Sequence, residues 1–195
     1  MLKSFLIAFS AVASVTLSLV GEANAFGTAS AARAMAPRPA DMKPAGPKLG
    51  HAPPLQFQIF CLQNPADCRR TRLTSIAYDE RTRHLLAEIN NQVNSQIKPR
   101  ADKGRDVWTI SSTFGDCDDY AITKRHKLIR AGLPASALRM AVVRTPKGEG
   151  HAVLVVKTSA GEFVLDNLRS MIVSRQESGY RYLTVASDDP HRWKG

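Results

Sequence analysis

The sequence predicts an α+β fold, with helices first and an antiparallel sheet after them. Three observations predict it. Leu85, Ile89, Val93 and Ile97 recur every four residues, which draws one apolar stripe along a helix. A second helical pattern starts near Cys117, runs through Ala121, Ile122, His126, Leu128 and Ile129, and stops at Gly132-Leu133-Pro134. Then "LRMAVVRT" (138–145), "HAVLVVKT" (151–158) and "EFVLDN" (162–167) follow as valine-rich runs separated by short turns, with "YRYLTV" (180–185) as a further strand. Helices followed by consecutive short strands give the α+β class.

The elements follow in order. Residues 1–25 read as a signal peptide: Lys3 near the start, an apolar run, then Ala23-Asn24-Ala25, which fits cleavage after Ala25. Ser10, Ser14, Thr16, Ser18 and Gly21 break the run and Glu22 ends it, which weighs against a membrane anchor. Cleavage leaves no stable membrane span and places the protein in the periplasm or outside the cell. Residues 26–54 hold six of the eleven prolines and almost no large apolar side chain. They cannot bury enough surface to order themselves, so they read as a disordered linker. The folded domain is expected over 55–195, with Pro99 ending the first long helix and Trp108 as the only large anchor of the loop that follows.

A chain of 195 residues suits one domain plus tails. Its 44% hydrophobic and 23% charged residues are ordinary for a globular protein. The formal charge of +10 suggests contact with an anionic surface. That charge is spread out and no groove-reading motif is present, so no nucleic-acid partner is expected.

Export changes how the three cysteines read. In an oxidising compartment two tend to pair. "CLQNPADC" separates Cys61 from Cys68 and contains Asn64-Pro65, a turn-favouring pair. A turn there brings the two sulfurs together, and Cys117 is left over. Free thiols or metal ligands are the alternative for Cys61 and Cys68, but no CxxC spacing supports zinc.

Cys117 stands at the predicted helix start. There the helix offers positive potential and free N–H groups, both useful to a thiolate and to an oxyanion. A base is needed. His126 lies nine residues along the same helix, roughly 13 Å away at about 1.5 Å per residue, which is too far. His151 opens a strand after "KGEG" and Asp166 follows "FVL" on the next, so a hairpin places both near one end. Asp166 could then hold the imidazole in the right tautomer, with Asn167 as a competitor that strand alternation turns to the other face. The plainer alternative makes His151 a solvent-facing strand end and Asp166 a turn cap.

"GDCDDYAITKRHKLIRAGLP", "LRMAVVRT" and "GHAVLVVKTSAGEFVLDN", in this order, resemble the bacterial transglutaminase-like cysteine proteinases. The "FCLQNPADCR" opening and the closing "DPHRW" extend the resemblance over roughly 55–195. It implies an exported protein with a papain/transglutaminase-like fold, in which a helix bearing the nucleophile packs on an antiparallel sheet. It also implies a catalytic triad of Cys117 as nucleophile, His151 as base and Asp166 as orienting acid. The best-understood relatives are periplasmic calcium-dependent proteases that cut a large surface adhesin under a membrane receptor. Their acidic residues flanking the nucleophile bind calcium, and Asp116, Asp118 and Asp119 match those positions. The alternative is that these aspartates cap the helix and favour its dipole. Three carboxylates also fall short of the six to eight oxygens that calcium takes.

Three functions compete at this stage. The first is an exported cysteine peptidase that works through a thioester acyl-enzyme on a protein or peptide substrate. The second is a transglutaminase or peptide-ligating acyltransferase, with the same triad and an amine acceptor. The third is a non-enzymatic binding or regulatory module, against which an intact triad argues.

Overall fold

The structure, a computed structural model, describes residues 51–111 and 113–195. The expected signal peptide (1–25) and residues 26–50 of the expected linker lie outside the described residues. Three α-helices and eight strands make up the domain in the order α1 (Leu55–Gln63), α2 (Glu80–Gln96), β1 (Lys98–Pro99), β2 (Phe114–Gly115), α3 (Cys117–Arg130), β3 (Leu138–Arg144), β4 (Gly150–Thr158), β5 (Gly161–Leu165), β6 (Val173–Ser174), β7 (Arg181–Ala186) and β8 (Trp193–Lys194). The fold class is α+β, as the sequence predicts. Among the described residues no helix is long and apolar enough to cross a membrane.

The periodic readings meant as elements all form. Asp79 caps α2 by accepting from Thr82 N–H at 2.8 Å. The stripe it buries is Leu86, Ile89, Val93 and the capping Ile97, with Leu85 half-buried against the same core. Helix α3 ends where the sequence says: Gly132 takes φ +94° and donates to Ile129 O, while Leu133 N–H reaches back to Leu128 O.

Helix α1 has no counterpart among the elements read from the sequence. Leu55, Phe57, Ile59, Phe60 and Leu62 alternate as much as they repeat, and only tertiary contacts decide the matter. Phe57 packs edge-on against Trp108 at 5.8 Å and Trp193 at 5.4 Å, which joins three distant segments. His51 belongs to the ordered structure too: its carbonyl accepts from Trp193 N–H. Order therefore begins before Leu55.

Cys61 and Cys68 form a disulfide, with Cα atoms 5.5 Å apart. Asn64 makes the turn possible by donating its side-chain amide to Phe60 O. Reduction of this bridge is expected to cost about 2–3 kcal/mol on the chain-entropy account. Thermal unfolding with and without a phosphine reductant should show Tm falling by about 5–10 °C. An unchanged Tm would mean that the loop is held by packing alone.

The sheet is antiparallel throughout, in the order β6-β5-β4-β3-β7-β8. Central β4 explains its own valine run, because both its faces are buried. Leu154 and Val156 join Leu138, Met140 and Leu165 under the helices. Val153 and Val155 join Ala141, Val143, Val164 and Val185 on the opposite face, under Tyr180 and Tyr182. Helix α3 lies on the first face, roped down by two polar bonds. Tyr120 donates its hydroxyl to Ile97 O, and fully buried Arg125 donates Nε to Leu138 O at 2.9 Å. The two-residue parallel ladder of β1 with β2 closes the 100–113 loop just before α3 begins.

Candidate active site

Asp116 and Asp119 form a capping box at the start of α3, which places Cys117 as the first helical residue. The thiol is half-buried. Burial pushes its pKa up to about 11; the backbone N–H of Ala152 opposes that, and the charges of Asp118 and Asp116 add to it.

The β3–β4 turn delivers His151. Gly148 takes φ +84° there, and Thr145 N–H closes the turn on Glu149 O. Gly150, beside it, faces open space. The crowded glycine is Gly115, where an added Cβ would fall 2.6 Å from Asp119 Cβ. It lets the β2 backbone pass over the capping box.

Asp166 follows β5. With Leu154 opposite Leu165, Asp166 lies diagonally across from His151 on the same face. His151 Nε2 and Asp166 Oδ1 are 2.8 Å apart, with both side chains almost wholly buried. Asp166 also accepts from Tyr180 OH and from Leu168 N–H. Burial by itself raises the Asp166 pKa, but the His151 and Tyr180 hydrogen bonds outweigh it and hold the carboxyl below its ordinary value. An ionised carboxylate only accepts, so His151 Nε2 carries the proton and Nδ1 is left as an acceptor. Asn167 takes no part in this bond.

Cys117 and His151 line one shallow cleft of about 420 Å³, together with Pro99, Arg100, Glu149 and Leu168. His126, discounted for its distance, bonds Asp67 through Nδ1 at 2.9 Å on another face of α3.

The acidic neighbours divide. Asp116, Cys117 and Asp118 bring their ligand atoms within 4.8 Å of one another. Asp119 stands outside that trio but within electrostatic reach of Asp118. Its Oδ1 accepts from Thr109 N and Oγ1, and its Oδ2 from Asp116 N. Asp119 is a cap and a loop staple. Asp118 is buried, and burial with Asp116 beside it pushes its carboxyl up to about 9. Oδ1 of Asp116 and Oδ1 of Asp118 have no hydrogen-bond partner. Asp106, from the 100–113 loop, lies within electrostatic reach of both. The sequence alone did not point to Asp106, because loop residues carry no periodic signal.

The family model described as bacterial transglutaminase-like cysteine proteinase BTLCP matches residues 49–195. The chain belongs to this family. Among solved structures the BTLCP domain is similar to Legionella pneumophila LapG. The calcium-bound form is 23% identical with a TM-score of 0.48, covering 53% of this chain and 64% of that one. The EGTA-treated form is 22% identical with a TM-score of 0.48, covering 53% and 62%. The BTLCP chain thus spans less than two thirds of the LapG chains it matches. No curated protein matches it.

Proposed function

We propose that this chain is an exported cysteine peptidase in which Cys117, His151 and Asp166 act together. The observation that carries the reading is the buried His151 Nε2–Asp166 Oδ1 bond, in one cleft with the sole cysteine outside the disulfide. Nδ1 of His151 takes the thiol proton. The thiolate adds to a substrate peptide carbonyl, and the N–H groups at the start of α3, including that of Cys117, serve as donors to the developing oxyanion. The imidazolium then returns its proton to the leaving amine. Water, deprotonated by the same nitrogen, hydrolyses the thioester. The Cys61–Cys68 disulfide supports an oxidising, exported setting.

The acidic cluster fits a hard divalent cation. Two buried carboxylate oxygens without partners, one of them on the Asp118 carboxyl whose ionisation burial opposes, are what such an ion satisfies. Asp116 and Asp118 would hold calcium, with Asp106 in reach. Calcium there supplies positive charge that offsets the carboxylates opposing the thiolate.

Alkylation by iodoacetamide tests both parts. Cys117 in calcium-loaded protein is expected to label at least about 10-fold faster than a cysteine in a short peptide. EGTA should slow the labelling and lower Tm by several degrees, since calcium binds the folded state alone. Labelling no faster than the peptide would remove Cys117 as a nucleophile. Rates and Tm indifferent to EGTA would remove calcium.

A further inference from the structure

We infer that Tyr180 is a positioning residue for the His151–Asp166 pair, holding the carboxylate through Oδ2 so that Oδ1 stays on the imidazole. The inference rests on the triad proposed above and adds a residue that neither the triad nor the cation cluster uses.

The geometry is specific. Tyr180 donates its hydroxyl to Asp166 Oδ2, while Oδ1 takes His151 Nε2 at 2.8 Å and Leu168 N–H at 3.0 Å. Both oxygens are therefore tied, and the carboxylate cannot turn about its last bond without breaking a contact. The Tyr180 ring also stands edge-on to the imidazole, 5.7 Å between centroids at 70°. One side chain thus touches both partners of the pair. Tyr180 is itself fixed. Arg169 lies over its ring at 5.1 Å, donates Nη2 to its hydroxyl at 3.4 Å and approaches Asp166 Oδ2 with Nε at 3.5 Å. Ser178 Oγ accepts from its backbone N–H.

The charged and titratable groups facing Asp166 are His151 from β4, Tyr180 before β7, Tyr182 on β7, Arg169 after β5 and Lys124 from α3. Burial, with the carboxylate beside it, pushes the Tyr180 phenol up to about 12. It stays a donor across the whole working pH range. A phenol suits the task because it donates one hydrogen bond in a fixed direction and adds no charge that would compete with the imidazolium.

Tyr180→Phe keeps the ring and deletes the hydroxyl, so it separates packing from positioning. Two readouts are used: heteronuclear NMR of His151 in histidine-labelled protein, and the iodoacetamide rate at Cys117. In wild type the Nε2–H proton of His151 should be hydrogen-bonded and far downfield. In Tyr180→Phe that signal should move upfield, the Nδ1–H tautomer should become populated, and alkylation should slow about 10- to 100-fold, the range for losing a bond to a charged group. Tm should fall by a few degrees, since Asp166 Oδ2 loses a buried donor. In an Asp166→Asn background the same substitution should have almost no further effect on the rate, because it acts through Asp166. An unchanged His151 spectrum and rate in Tyr180→Phe, or an equal loss in the Asp166→Asn background, overturns the positioning role. Wild-type Cys117 labelling no faster than a peptide cysteine overturns the triad itself, and the two failures are told apart by which protein shows them.

Discussion

Cys117→Ala is expected to lower kcat/KM for peptide cleavage by at least about 10⁴-fold while the fold survives. The two halves of this statement have separate causes. Chemistry is lost because no other thiol lines the cleft, and Cys61 and Cys68 are consumed by their disulfide. The fold is kept because helix α3 does not begin on the thiol. Its start is held by the Asp116–Asp119 capping box, and Thr109 fastens Asp119 in turn. Alanine at the first helical position carries no propensity cost. The half-buried sulfur also leaves too little volume to open a damaging cavity. Circular dichroism melts should place the variant within about 3 °C of wild type. Cleavage assays against exported proteins should show bands that disappear only with wild type. A purified Cys117→Ala protein that still cuts would end the proposal.

Asp166→Ala is expected to lower kcat by about 10²- to 10⁴-fold, with KM less affected, because the imidazole loses both its tautomer and its orientation. Unlike Cys117→Ala, it should also destabilise the protein. His151 Nε2 and Tyr180 OH would be left as buried donors without acceptors, at about 1–3 kcal/mol each. The pH dependence has a definite sign. Hydrogen bonds hold the folded Asp166 carboxyl below its ordinary value, so their contribution is full above the unfolded value of about 3.9. It is lost as pH falls through the lower folded value. The stability gap between wild type and Asp166→Ala should therefore be widest near neutrality and shrink below about pH 4. Urea melts at the two pH values measure it. A gap that widens in acid would show that Asp166 is not held as an anion.

Much of the fold was legible in sequence because it is written in periodicity. The stripe on α2, the Gly132 stop of α3 and the valine runs of β3, β4 and β5 each follow from burial of one face or two. Helix α1 was missed because Phe57 is turned inward by Trp108 and Trp193, residues far along the chain, and Phe60 stacks on it. The short strands β1, β2, β6 and β8 were missed because two residues cannot carry a pattern. Helix α3 also buries Asp118, Lys124 and Arg125, which no amphipathic reading of "CDDYAITKRHKLIR" would place inside.

For the candidate site, chain order and residue type were enough to nominate Cys117, His151 and Asp166, since a helix start, a strand start and the next strand's end are local features. The hydrogen-bond partners of the acids around Cys117 were not local. Thr109, ten residues before it, occupies one oxygen of Asp119, and a loop brings Asp106 within electrostatic reach of Asp118. Tyr180 reaches Asp166 only because the segment before β7 crosses the sheet's second face. Sequence by itself determined the order of the long elements and the cysteine left over, and nominated His151, because hydrophobic period and chain spacing act between neighbours. Only the tertiary structure decided the hydrogen-bond partners of each carboxylate, because those depend on which distant backbone and side-chain donors are packed within about 3 Å of it.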